Sequence, residues 1–143
     1  MIACDVMTPN PVTVTPHASV AEVWDLMREL DIRHVPVLEG GELVGMVSDR
    51  DVACLDVARL LMVDGADALQ RQLATRVIHV MSSNVVFAEP ETTLSDVIGL
   101  MLENRIGAVP VVTPGSREVV GIVSYVDVLE AVQDLLEDEQ SVP

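Results

Sequence analysis

Lysine is absent from this chain of 143 residues, and aromatic residues nearly so: Trp24, Phe87 and Tyr125 are the whole set. Eight arginines stand against 23 acids, a formal charge of −15 at pH 7, which repels a phosphate backbone rather than neutralising it. Three aromatics are too few for a base-stacking platform. Both deficits argue against nucleic acid as a partner. The two cysteines, Cys4 and Cys54, are fifty positions apart, which is neither a metal-ligand spacing nor a disulfide framework. Both are expected to be reduced thiols, with Cys54 buried. No apolar run reaches the roughly 18 residues a bilayer span needs, and the N-terminus lacks the basic-then-apolar order of a secretory signal. A cytoplasmic protein without membrane insertion is expected. Catalytic signatures are missing too: there is no Gly-rich phosphate loop, nucleophile elbow or H-E-x-x-H, and His17 and His79 have no partners at metal spacing. No enzyme, catalytic residue or metal site is expected.

What the chain does have is apolar mass, at 50% of its residues, enough for a packed core. It also has an internal repeat. Residues 6–38 match residues 80–112 at a constant offset of 74, with 13 of 33 positions identical. These include Val6/Val80, Met7/Met81, Asn10/Asn84, Pro16/Pro90, Met27/Met101 and Val35-Pro36-Val37 against Val109-Pro110-Val111. A two-residue insertion around Thr113–Arg117 shifts the offset to 76, after which residues 43–52 match 119–128 at six of ten positions. The expected limits are 1–62 for the first copy, 63–76 for a connector and 77–143 for the second copy.

Each copy carries the same local pattern. Pro11–Thr15 alternates like a short strand closed by Pro16, which cannot continue a ladder. Ser19-x-x-Glu22 and Thr93-x-x-Asp96 read as capping boxes, each opening a helix. Val20, Val23, Trp24, Met27 and Leu30 recur at three-and-four spacing, as do Leu94, Val97, Ile98 and Met101, so each helix turns one stripe to a core. Val35–Leu38 and Leu43–Val47 flank Glu39-Gly-Gly-Glu42, a tight hairpin turn; the arms of the second hairpin are Ala108–Val112 and Val119–Val123. A helix follows each hairpin, the last with a stripe of Val128, Leu129, Val132, Leu135 and Leu136. The unit is β-α-β-β-α, an α+β fold.

This order resembles the CBS domain, and the whole chain resembles a stand-alone tandem CBS pair, or Bateman module. The likeness is carried by Val6-Met-Thr-Pro9 and Val80-Met-Ser-Ser83, by Arg33-His-Val-Pro-Val37 and Gly107-Ala-Val-Pro-Val111, and by Gly45-Met-Val-Ser-Asp-Arg-Asp51 and Gly121-Ile-Val-Ser-Tyr-Val-Asp127. It covers about residues 2–136. The resemblance implies two repeats packed around a pseudo-twofold axis with two clefts, one or both taking adenosine-containing ligands such as AMP, ADP, ATP, S-adenosylmethionine or NAD. It implies that the turn aspartate meets ribose hydroxyls, and that the serine three residues earlier and nearby cations meet phosphate. A carboxylate can accept both hydrogen bonds of a cis-diol, and a helix start offers N–H groups to an anion.

In that resemblance each cleft pools the turn of one repeat with the first strand and corner of the other. The preferred nucleotide cleft would then hold Ile122, Ser124 and Asp127 with Thr13, Val14, Arg33, His34, Val35, Pro36 and Arg50. The second would hold Ser48 and Asp51 with Phe87, Ala88, Ala108, Val109 and Pro110, apolar and poor in phosphate contacts. Plainer readings stand beside these. Ser48-x-x-Asp51 and Ser124-x-x-Asp127 are also helix caps that need no ligand, Arg33 could pair with Asp31 or Glu29 at the surface, and His34 could be a packed side chain. The expected function is a regulatory, nucleotide-sensing module acting in trans on an unidentified protein partner, since no length remains for an output domain. The alternative is a structural or protein-docking module that binds no ligand. The segment Val52–Val63, apolar around most of a helix, points to a homodimer.

Overall fold

The computed structural model describes residues 1–53 and 65–140. The proposed helix over Val52–Val63 lies, beyond its first two residues, outside the described residues, and so does Cys54; Cys4 is a free, exposed thiol. The chain forms two compact units that cut across the repeat: Val12–Val85 make one, and Met1–Pro11 join Val86–Pro143 in the other.

In the 12–85 unit, helix α2 (Val20–Leu30) precedes an antiparallel hairpin of β2 (His34–Glu39) and β3 (Glu42–Ser48), then α3 (Asp49–Ala53), α4 (Gly65–Leu73) and a 3-10 turn at Val77–His79. In the 86–143 unit, α1 (Ala3–Val6) and β1 (Thr8–Pro9) accompany α5 (Leu94–Asn104), β4 (Ala108–Val112), β5 (Val119–Ser124) and α6 (Tyr125–Gln140). Strand β5 is central there, flanked by β4 and by β1, both antiparallel to it. The opening segments are thus exchanged. Residues 8–9, which begin the first copy, pair with the second copy's β5, while Ser82, from the start of the second copy, bridges to Met46 on the first copy's β3.

The hairpins follow their turn chemistry. Gly40 and Gly41 both have positive φ, 59° and 82°, the condition for a two-residue type I′ turn. The longer loop of the second copy is closed by Thr113 N–H donating to the Glu118 carbonyl at 2.9 Å and Ser116 N–H to the Thr113 carbonyl at 3.1 Å. Both hairpins carry a bulge at the same place, between Val37 and Leu38 and between Val111 and Val112.

The strand expected at Pro11–Thr15 shrinks to one bridge, Val14 parallel to Val37, and its counterpart is Ala88 parallel to Val111. Val14 N–H donates to the Pro36 carbonyl at 3.1 Å and Leu38 N–H to the Val14 carbonyl at 2.8 Å. In a parallel ladder the next rungs would be donated by residues 36 and 16, and both are prolines, which have no N–H. In the second copy the donors would be Pro110 and Pro90, so the ladder is cut identically.

Ser19 and Thr93 do cap their helices, accepting from the Glu22 and Asp96 N–H groups at 3.2 and 3.1 Å. The return bonds of a full capping box are not made among the described residues. The helix starts instead carry bridges, Ser19 with Arg76 and Ile2 with Thr93. The stripes beyond them pack as the spacing requires. Val20, Val23 and Met27 are buried with Val35, Val37, Val47, Val52 and Val77, with Trp24 packed against them, whereas Leu30 is exposed. Leu94, Val97 and Met101 are buried with Val109, Val111, Val123, Val128 and Ala131, with Ile98 against them. Each such buried aliphatic side chain contributes about 1.5–3 kcal/mol.

Helix α6 departs from expectation. Val128 and Ala131 are its buried residues and Val132 is partly buried, but Leu129 is 62% and Leu136 53% exposed, and Leu135 is exposed as well. A helix turns 100° per residue, so Leu129 and Leu136 share a face with Tyr125 that is turned well away from the Val128 and Ala131 side. Sequence periodicity alone fuses these two faces into one stripe.

Candidate functional site

Both Gly-h-h-Ser-x-x-Asp turns (h, apolar) are closed by reciprocal hydrogen bonds. Ser48 N–H donates to Asp51 Oδ2 at 2.8 Å, and Asp51 N–H to Ser48 Oγ at 3.3 Å. Ser124 N–H donates to Asp127 Oδ2 at 2.9 Å, and Asp127 N–H to Ser124 Oγ at 3.2 Å. The helix-cap reading of these residues therefore holds. It does not exhaust their valences: each aspartate engages Oδ2 in its box, leaving Oδ1 as an acceptor, and each serine accepts through Oγ while its O–H can still donate. All four residues are part-buried rather than sealed.

Each turn is fastened to the corner of its own copy. Asp49 N–H donates to the Arg33 carbonyl at 2.8 Å and Tyr125 N–H to the Gly107 carbonyl at 2.9 Å. His34 lies opposite Ser48 across the hairpin, and Ala108 opposite Ser124. The 12–85 unit therefore gathers Thr13, Val14, Arg33, His34, Val35, Pro36, Ser48, Arg50 and Asp51. The 86–143 unit gathers Phe87, Ala88, Ala108, Val109, Pro110, Ile122, Ser124 and Asp127. Val35 and Val109 are fully buried in their own unit's core, so only their backbone can meet a ligand.

The two units differ in charge at equivalent places. Where the first copy has Arg33, His34 and Arg50, the second has Gly107, Ala108 and Val126. Burial lowers the His34 pKa from its ordinary 6.5; Asp49 and Asp51 act to raise it, while Arg33 and Arg50 add to the lowering. The folded state thus keeps His34 neutral below the pH at which the unfolded chain protonates it. Its contribution to stability is complete above about pH 6.5 and is lost as the pH falls through that value toward the lower folded-state one. Urea midpoints at pH 7.5 and 5.5 are expected to differ more for the wild type than for His34→Gln. Equal differences would remove His34 from the account.

One residue near this set gave no motif signal. Arg117, in the longer hairpin loop, places its guanidinium carbon 5.8 Å from the centroid of the Phe87 ring. Its sequence signature is the insertion itself. Among the described residues no group of three or more His, Cys, Asp or Glu could hold a metal ion, and no helix is long and apolar enough to cross a membrane.

The family model described as "CBS domain" matches residues 2–58 and 77–134. The chain belongs to the CBS domain family. Both copies are CBS domains, each with the Ser–Asp turn described above. The pair is 34% identical over 123 residues to the CBS domain-containing protein YhcV of Bacillus subtilis, covering 86% of this chain and 79% of that one. It is 33% identical over 117 residues to an inosine-5′-monophosphate dehydrogenase of Korarchaeum cryptofilum, but the match spans 82% of this chain and 21% of the enzyme. Among solved structures, CBSX2 in complex with AMP superposes with a TM-score of 0.76 at 28% identity, covering 94% of this chain and 97% of that one. The likeness to the dehydrogenase thus concerns a CBS segment about a fifth of that enzyme's length.

Proposed function

We propose that this CBS pair is a regulatory module that binds an adenosine nucleotide and transmits the effect in trans to a protein partner. The observation that carries the reading is the duplicated turn, in which serine and aspartate cap a helix with one set of valences and keep a hydroxyl donor and a carboxylate acceptor for phosphate and ribose. A relative of the same fold, CBSX2, is known in complex with AMP. In this proposal Ser124 and Asp127, with Ile122 beside them, recognise the nucleotide at the preferred site, and Ser48 and Asp51 do so at the second. Binding drives a response only in so far as two states of the module bind the ligand unequally.

A second reading has its own support. The turn boxes are self-satisfied without any ligand, as a purely structural or protein-docking module would require. A thermal-shift panel of AMP, ADP, ATP, NAD and S-adenosylmethionine separates the two, because a ligand at a hundred times its Kd stabilises the native state by about 2.7 kcal/mol. A raised Tm with at least one adenine nucleotide is expected; no shift at millimolar concentration leaves the docking module.

Homodimerisation is part of the proposal. The exposed face of α6 with Leu129 and Leu136 is the kind of apolar surface a second subunit covers. Light scattering at micromolar concentration is expected to give twice the chain mass, reduced toward one chain by Leu129→Glu; a monomeric wild type would refute it.

A further inference from the structure

The two copies differ most at one place, where two departures from the repeat meet. At the position of Thr13 in the first copy, the second has Phe87, and where the first has the Gly40-Gly41 turn, the second has a longer loop bearing Arg117. Neither change requires the other by sequence, yet the guanidinium lies over the ring at 5.8 Å. The loop is held by the bonds across Thr113, Ser116 and Glu118, including Glu118 N–H to Ser116 Oγ at 3.2 Å. Phe87 is 38% exposed, so the pair stands at the surface next to Ala88, whose backbone bridges to the hairpin.

We infer that Arg117, held over Phe87, is a phosphate anchor that the second copy alone possesses, so that the surface beside Phe87 takes a phosphorylated ligand rather than an apolar one. A guanidinium above an aromatic face is drawn to the ring by its quadrupole while its N–H groups stay available, and its planar fork matches two phosphate oxygens. That contact narrows the side chain's range beforehand, so less conformational freedom is lost when an anion arrives. In a chain with 23 acids and no lysine, such an anion site must be local, and an aromatic ring holds an arginine without neutralising it as a carboxylate would. The identity of the ligand as an adenosine nucleotide rests on the function proposed above; the anchoring of phosphate by Arg117 does not.

The test uses the 143-residue chain with two probes, AMP and inorganic pyrophosphate. Binding is followed by calorimetry and by the Arg117 Nε–H resonance, assigned by its absence in Arg117→Gln. The expected result is two AMP sites in the wild type. Arg117→Gln should weaken one of them at least tenfold and leave the other, with ligand-free Tm unchanged because the side chain is exposed. Arg117→Lys should fall between, having charge without the fork. Pyrophosphate should shift the Arg117 resonance in the wild type and lose that part of its binding in Arg117→Gln. Wild-type affinity at both AMP sites in Arg117→Gln would overturn the anchor and leave the nucleotide reading intact. A pyrophosphate shift at Arg117 without any AMP binding would keep the anchor and end the nucleotide reading. If neither probe moves the resonance, the anchor is wrong.

Discussion

Asp127→Ala is expected to lower the affinity for AMP at the preferred site by about 100-fold or more, the result of removing a charged acceptor for two ribose hydroxyls at about 1.5–3 kcal/mol each. The same substitution removes the acceptor of the Ser124 N–H at 2.9 Å, so α6 loses half of its cap and the fold loses about 1 kcal/mol. These two effects are separable. Asp127→Asn keeps an oxygen for the Ser124 N–H and discards the charge, so it should hold most of the stability while still binding AMP far more weakly. Calorimetry for binding and urea midpoints for stability read the two apart. Should Asp127→Ala bind normally while Asp51→Ala does not, the order of the two sites is reversed. If both variants bind as the wild type does, aspartate has no part in recognition.

The second large effect falls on stability. Gly45 and Gly121 occupy equivalent places in the two copies, and each lies under a methionine from an exchanged opening segment. A Cβ on Gly45 would collide with Met81 Sδ and lie 3.1 Å from Met81 Cγ and 3.1 Å from the Ser82 carbonyl oxygen. That carbonyl cannot retreat, because Met46 N–H donates to it at 3.0 Å and Ser82 N–H returns the bond to the Met46 carbonyl at 2.9 Å. On Gly121 the added carbon would collide with Met7 Sδ, and would also lie 2.8 Å from Met7 Cγ and 3.2 Å from Met7 Cβ, all in one side chain. Either Gly→Ala change is expected to cost about 1–3 kcal/mol. The pairs should then differ in rescue. Trimming the neighbour in Gly121→Ala/Met7→Ala should recover much of the overpacking, while Gly45→Ala/Met81→Ala should recover less because the Ser82 carbonyl remains. Double-mutant cycles from urea denaturation measure both couplings, and additivity within about 0.5 kcal/mol in the Gly121 pair would refute the contact.

Much of the site was legible as pattern. The Ser-x-x-Asp spacing alone indicates helix caps, and the structure forms them with the reciprocal bonds such a spacing allows. Less legible was the strand before Pro16. Its alternation is real, but prolines at 16 and 36 remove the donors on both sides of the Val14 bridge, and the second of these lies twenty residues away on a different strand. The stripe on α6 was misread for a related reason. Leu129 and Leu136 fall on a second face beside the buried one, while Leu135 lies on the buried side but past Ala131, beyond the reach of the core, a limit that spacing does not record. Arg117 was invisible because a single arginine in a loop has no pattern until Phe87 is found beneath it.

The sequence by itself determined the duplication, the elements of each copy, the caps and turns that bound them, and a charge balance that makes any anion site a local matter. These rest on periods and spacings of a few residues, which act within a helix or a hairpin and are written along the chain. Tertiary structure alone decided that the opening of each copy docks on the hairpin of the other, so that Met7 packs on Gly121 and Met81 on Gly45. Two copies of one pattern offer the same glycine and the same methionine twice. A local pattern cannot choose between equal partners; the choice belongs to long-range packing, and only the folded chain records it.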